Sequence, residues 1–266
     1  MDEVSVIITT YNRARFAEEA IKSVLAQSFK NYEIILVDDG SADETEKILE
    51  TYPLKYVRQK HTGISRARNR GIAESHGKFV CFLDSDDLWL KDKLKIQRYF
   101  MEKNSGCPLC YTDEIWKRNG KNLNRKKIHE KGGGDIFREC LRLCIISPSS
   151  AMIRREILGV EAFDEKMPVC EDYDLWLRIS SAYEIGYIPE KLIIKRGGHP
   201  DQLSRKYPVM DRFRIYSIKK LLKKFLKPHL RETARRELER KCGIVSSGAL
   251  KRGRIIAALR YWAAQL

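Results

Sequence analysis

The chain has 266 residues, 43% hydrophobic and 33% charged, with a formal net charge of +15. This length suits one large domain or a domain with an appendage. No apolar run approaches the ~20 residues of a bilayer span, which excludes a transmembrane helix from the reading. Residues 205–266 hold 18 Lys and Arg against 4 Asp and Glu, while residues 1–204 hold 33 against 32. The expectation is therefore a near-neutral domain, 1–204, followed by a basic helical extension, 205–266. The start, "MDEVSVIITTYN", lacks the basic stretch of a signal peptide, so a cytoplasmic location is expected. Seven scattered cysteines do not form a disulfide framework, and the lone Cys107-x-x-Cys110 is a weak zinc or redox signal.

In chain order, "VSVIITT" (4–10) reads as a buried strand, and Phe16, Ala20, Ile21, Val24 and Leu25 fall at helical spacing. "YEIILVDDG" is a second strand ending in acids. Ser41 with Glu44 predicts a capping box for the next helix. "LKYVRQ" is a third strand, "GISRARNRGIAES" a helix, and "FVCFLD" a fourth strand. This alternation predicts an α/β fold with a mostly parallel central sheet flanked by helices. After residue 105 the pattern loosens. Asn119-Gly120 marks a hairpin turn, Gly132–Gly134 a loop, "CEDYDLWLRISSAY" an amphipathic helix, and residues 209–266 continuous helical material.

Ligands in such sheets sit beyond the carboxyl ends of the strands. Here those ends carry Thr9-Thr10-Tyr11-Asn12-Arg13, Asp38-Asp39 and Asp84-Ser85-Asp86-Asp87. Two like charges at about 4 Å repel by roughly 4 kcal/mol at an effective dielectric near 20. The acidic turn therefore invites a cation, and Asp-x-Asp offers hard oxygen ligands to Mg²⁺ or Mn²⁺. The plain alternative is an acidic turn capping the following segment.

"VSVIITTYNR", "VDDGSADET", "GISRARNRGI", "FLDSDD" and "EDYDLWLR" stand in the order and spacing of family 2 glycosyltransferases. Over about residues 4–204 the chain resembles that family. The resemblance implies a GT-A (Rossmann-like) fold and an inverting transfer of a sugar from a nucleotide-diphosphate donor to an acceptor hydroxyl. It also implies a divalent cation, Mn²⁺ or Mg²⁺. UDP-sugar is the favoured donor because it is commonest in that family. Tyr11 offers a face to the base, and Thr9 and Arg13 offer polar contacts. The resemblance gives Asp39 the imino N–H of the base. Asp38 either reaches the ribose or braces the turn. Gly63 begins a helix whose backbone N–H groups favour anions, and Arg68, more than Arg66, is placed to meet a phosphate. Asp84 and Ser85 join the nucleotide side, and Asp86 is the metal ligand. Asp172 is the implied general base with Glu171 beside it, a helix N-cap being the plain alternative for Asp172. His199, after Gly197-Gly198, is the second metal or diphosphate contact, and Gln202 and Ser204 close over the phosphates. His129 and Ser149 fall where the family builds its acceptor side, for a saccharide or lipid-linked acceptor in cell-surface glycan synthesis.

Two rival readings remain. A sugar nucleotidyltransferase would carry a Gly-rich basic loop after the first strand, where this chain has "TTYNRAR". A nucleic-acid binder would suit the pI of about 9.5, but its motifs are missing and no nucleic acid is expected. In the extension, "RFRIYSIKKLLKKFLK" aligns Ile215, Ile218, Leu222 and Phe225 on one face, with Arg212, Lys219, Lys220, Lys223, Lys224 and Lys227 around it. That composition predicts either attachment to an anionic inner membrane face or a helix packed on the domain with a solvated basic side.

Overall fold

The computed structural model describes residues 3–263, apart from 125, 160, 224 and 225. The first half alternates strand and helix: β1 (Val4–Thr10), α1 (Ala14–Leu25), β2 (Tyr32–Asp38), α2 (Thr45–Leu49), β3 (Lys55–Arg58), α3 (Ile64–Ala73) and β4 (Phe79–Asp84). The rest is β5 (Leu88–Trp89), α4 (Lys93–Lys103), β6 (Leu109–Arg118), β7 (Lys121–Asn122), α5 (Phe137–Arg142), β8 (Ala151–Arg154), α6 (Glu171–Ser180), β9 (Gly186–Gly197), α7 (Leu203–Lys206), α8 (Asp211–Lys223), α9 (Pro228–Leu250) and α10 (Ile255–Ala263).

One sheet runs β3-β2-β1-β4-β8-β6-β9-β5, with β7 paired to β6. The first four strands are parallel. From β8 onward the pairing is mixed, because β8 and β5 enter antiparallel to their neighbours. The Asn119-Gly120 turn forms as expected, with φ of 49° and 78°, the left-handed pair a two-residue hairpin requires.

All seven residues of β1 are buried, because both sheet faces are covered and alternate side chains enter different layers. Val4, Val6 and Ile8 pack with Ala17, Ile21 and Val24 of α1 and Leu94 of α4. Ile7 faces the opposite layer, with Ala67 and Ile72 of α3 and Trp176 of α6. Gly71 lets α3 approach that closely, since a Cβ there would lie 2.3 Å from Ile7 Cγ2. Gly71→Ala is expected to cost about 1–3 kcal/mol in urea unfolding through overpacking. An unchanged midpoint would show that Ile7 can yield at no cost.

One sequence expectation is corrected, and one open alternative is decided. The capping box at Ser41 and Glu44 does not form. Helix α2 starts at Thr45, and the Ser41 hydroxyl instead donates to Asp38 Oδ1 at 2.6 Å. The apolar face of α8 is not free either: Ile215 and Ile218 are buried and Leu222 is half-buried. They join the same core as α6 and α9, so this helix has its partner within the chain. Phe225 and Lys224 lie outside the described residues.

Candidate active site

Parallel pairing puts Thr9 opposite Asp84 and Thr10 opposite Asp38, so three strand ends open into one cleft of about 1210 Å³. Of the predicted residues, Thr9, Tyr11, Arg13, Asp39, Gly63, Arg68, Asp84, Ser85, Asp86, Glu171, Asp172 and Gln202 line it. Thr9 and Ser85 are buried in its wall.

Tyr11 is exposed, and its ring stacks on His61 with centroids 3.9 Å apart and planes 16° apart. Asp39 is buried below. Its carboxylate accepts the backbone N–H groups of Thr62 (2.9 Å) and Gly63 (2.8 Å) and the Gln59 amide (2.7 Å). His61 Nδ1 lies 2.8 Å from Asp39 Oδ2. The anion expected at the start of α3 is thus Asp39 itself. Gly63 at φ 98° holds a left-handed conformation that side chains disfavour. Asp38 does not reach the cleft. It is fully buried and accepts from Ser41 and from the Tyr56 hydroxyl (2.6 Å), so it braces the turn.

At the acidic turn each carboxylate has its own compensation. Arg68 Nη2 donates to Asp84 Oδ1 at 2.6 Å, and its Nη1 donates to Glu171 Oε1. The guanidinium is buried, 5.3 Å from the Phe163 ring centroid. Two of its five N–H donors go to those acids, so Arg68 bridges β4 to α6 while still lining the cleft. Arg66, the other candidate, is exposed and pairs with Glu165.

Asp86 Oδ2 lies 3.1 Å from Arg13 Nη1 and 2.8 Å from His199 Nε2. Burial pushes Asp86 up, but His199 and Arg13 together hold it below the usual carboxylate range. Asp87 is buried beneath, and burial, with Asp86 and Asp84 beside it, raises its pKa well above that range. It accepts the Ser149 hydroxyl at 2.6 Å and the Arg196 N–H at 3.0 Å. Ser149 is fully buried and also accepts the Asp84 N–H. It is a brace behind the turn, which corrects its expected acceptor role.

The contact of His199 with Asp86, and Asp201 on its other side, raise the histidine pKa. Asp201 Oδ1 holds His199 Nδ1 at 2.8 Å. Nε2 is buried and lacks an in-line hydrogen bond although Asp86 is close. Asp86 and the adjacent buried ring nitrogen of His199 are two potential metal ligands, and Asp201 fixes the ring that carries one of them. Among the described residues no group of three or more His, Cys, Asp or Glu could hold a metal. A cation here would therefore need donor phosphates and water to complete its shell.

On the opposite wall, Cys170 takes a left-handed conformation (φ 60°) and caps α6. Asp172 is therefore not the N-cap. It lies in the first turn, half-buried, with Oδ1 accepting the Tyr173 N–H (2.7 Å) and Oδ2 accepting the Cys144 thiol (3.2 Å). Burial raises Glu171 to about 7, Arg68 pulling it down and Asp172 pushing it up. Gln202 precedes α7, and its Oε1 accepts the Gly198 N–H at 2.9 Å. The Ser204 side chain lies outside the described residues. His129 is half-buried beside Trp116, with ring centroids 4.9 Å apart, and is not part of the cleft lining.

Sequence reasoning missed His61, Asp201 and the cleft-lining Lys195. Burial pulls the Lys195 pKa down, but Glu114 and Asp87 raise it overall. Asp201 stands inside "GGHPDQLS", and its spacing from His199 is a usable signal. His61 follows β3, whose carboxyl end belongs to the same set of strand ends.

The family description "Glycosyl transferase family 2" matches residues 5–160. The chain belongs to this family. An uncharacterised glycosyltransferase of Rickettsia conorii is 37% identical over 195 residues, 71% of this chain and 32% of that protein. The chain therefore spans about a third of the length of that relative. The Escherichia coli UDP-Glc:alpha-D-GlcNAc-diphosphoundecaprenol beta-1,3-glucosyltransferase WfgD is 30% identical over 226 residues, 79% of this chain and 86% of WfgD. S. aureus TarS 1-349 in complex with UDP-GlcNAc matches at a TM-score of 0.75 and 20% identity, covering 99% of this chain and 79% of that fragment. That likeness shows the GT-A fold, with its central sheet flanked by helices.

Proposed function

We propose that this glycosyltransferase inverts the sugar it transfers, moving it from a nucleotide-diphosphate donor, UDP-sugar first, to the hydroxyl of a saccharide or lipid-linked acceptor in cell-surface glycan synthesis. One observation carries the reading: Tyr11, Asp39, Asp86 and Asp172 line the same cleft, with His199 just behind its lining against Asp86. Tyr11 takes the face of the base and Asp39 its imino N–H, with His61 and Gln59 yielding their present contacts. Asp86 and His199 hold Mn²⁺ or Mg²⁺, which when bound neutralises the leaving diphosphate. Arg13 and Asp201 keep those two side chains in place. Asp172 accepts the acceptor proton as the hydroxyl oxygen attacks the anomeric carbon from the side opposite the diphosphate. Gln202 and Ser204 belong to the loop over the diphosphate, and His129 is held as an acceptor-side candidate. The similarity to WfgD, whose named acceptor is diphosphoundecaprenol-linked, favours a lipid-linked acceptor.

A screen of UDP-, GDP- and dTDP-sugars for thermal stabilisation and donor hydrolysis, with and without Mn²⁺, tests this. Stabilisation by one nucleotide series, enhanced by the metal, is expected. Pyrophosphate release from a nucleoside triphosphate and a sugar phosphate would instead support the nucleotidyltransferase reading. In Asp86→Ala, UDP is expected to bind about 10–100-fold more weakly with Mn²⁺ present, since a metal-holding group is gone. The metal-free unfolding midpoint should fall modestly, because the ion pairs of Asp86 with Arg13 and His199 are lost along with its repulsion of the neighbouring carboxylates. Undiminished metal-dependent UDP binding would move the cation elsewhere.

A further inference from the structure

With α8 packed inward, the densest exposed apolar surface of the C-terminal region lies on α10, beside Ile244 and Leu250 of α9. Ile255, Leu259 and Trp262 recur at helical spacing, and with Ile256 they form one face. Ile256 is 86% exposed and the other three about 60% (61%, 58% and 58%). Ala258, one turn from Ile255 and from Trp262, is buried against the rest of the fold, so Ile256 and Leu259 point most directly outward. Exposed Lys251, Arg252, Arg254 and Arg260 surround this face. No carboxylate pairs with them among the described residues, and the sequence has no Asp or Glu after Glu239. Beside α10 is a groove of about 800 Å³, lined by Arg212, Arg252, Arg254, Arg260 and Tyr261 among others. Among the described residues no helix is long and apolar enough to cross a membrane, and nine residues are far below the ~20 a span requires.

We propose that α10 is an in-plane anchor that inserts its Ile255–Ile256–Leu259–Trp262 face into an anionic lipid surface. The apolar arc enters the acyl boundary, the tryptophan sits at the headgroup level, and the arginines meet lipid phosphates in fork geometry. A water-soluble partner would not need a purely cationic border, whereas an anionic bilayer complements it along the whole face. The position also suits the reaction. Val209 lines this groove, while Tyr207 and Met210, its near neighbours in the chain, line the catalytic cleft. The anchor therefore holds the cleft mouth near the membrane. Only this last step, delivery of a lipid-borne acceptor, rests on the glycosyl-transfer reading above.

Flotation of the full chain with phosphatidylcholine vesicles, with and without phosphatidylglycerol, tests the anchor. Binding at least about tenfold tighter to the anionic vesicles at low salt is expected, with a blue shift of fluorescence that Trp262→Phe abolishes. Ile256→Ser/Leu259→Ser should weaken binding at least about tenfold. Arg252→Gln and Arg254→Gln should each weaken it about fivefold. Circular dichroism and vesicle-free donor hydrolysis should be unchanged in these variants. Failure of donor hydrolysis with intact flotation would sink the transfer reading alone. Equal binding to both vesicle types, or wild-type flotation of the double serine variant, would overturn the anchor. A dimer seen by light scattering that the serine variant abolishes, without flotation by wild type, would assign the face to a second copy instead.

Discussion

Arg68→Met is expected to destabilise the protein by about 3–5 kcal/mol, the range for removing one partner of a buried ion pair. The guanidinium supplies Nη2 to Asp84 and Nη1 to Glu171. Methionine retains the packing against Phe82 and Phe163 while removing the charge. Lysine is no substitute, because one ammonium on a flexible stem does not reproduce the two-sided fork. The loss should depend on pH. Burial already raises Glu171 from 4.5 to about 7, and Arg68 is the charge opposing that rise. Without Arg68 the folded-state value climbs further. A carboxyl whose folded pKa exceeds its unfolded value favours folding when protonated, and that advantage disappears as pH rises through the folded value. The deficit in Arg68→Met should therefore be larger near pH 8 than near pH 5, where the loss of the pairing with Asp84 still remains. Urea unfolding at the two pH values decides it. An equal deficit at both would mean that the pairing with Glu171 carries none of the effect.

This network revises what the acidic turn demands. Read as sequence, Asp84, Asp86 and Asp87 ask for an external cation. In the fold, Arg68 answers Asp84, Arg13 and His199 answer Asp86, and the Ser149 hydroxyl and Arg196 backbone N–H answer Asp87. The turn is thus tolerable without metal. The case for a cation rests on the paired donors of Asp86 and His199, not on repulsion. Stability and function separate here, which is why Asp86→Ala should impair binding more than folding.

The parallel half of the fold was legible because fully buried strands read as unbroken apolar runs and their helices repeat at 3.6 residues. The strand-end rule then located Thr9, Tyr11, Asp39 and Asp86. The inversions at β8 and β5 were not legible, since local patterning does not encode which neighbour a strand joins. Nor were the burial of Ser149 and the bridging by Arg68. Ser149 donates to a residue 62 positions away, and Arg68 reaches one 103 positions away. For α8 the sequence shows the amphipathic stripe and leaves its destination open. An apolar stripe fits a membrane or a core equally well, and only the contacts with α6 and α9 choose.

Asp172→Asn is expected to lower transfer at least about 10²-fold while leaving donor binding near normal. An alcohol is a poor nucleophile, and a positioned base contributes roughly 10²–10⁴-fold by taking its proton in the transition state. Asp172 is half-buried on the cleft wall, with each oxygen held by one donor, the Tyr173 N–H and the Cys144 thiol. An ionised carboxylate offers about four lone-pair positions, so capacity remains for a substrate proton. Asparagine keeps the shape and can accept the Tyr173 N–H through its carbonyl oxygen, but its amide cannot take the proton. Because Cys170 holds the cap, the fold should lose only the first-turn charge, about 0.3–1 kcal/mol. UDP titration, urea unfolding and initial transfer rates separate the outcomes. Normal transfer with normal folding would place the base elsewhere, and Glu171→Gln would be examined next. Collapse of folding together with activity would make Asp172 a structural residue. A product retaining the donor's anomeric configuration, read by NMR, would exclude single displacement whichever carboxylate proved essential.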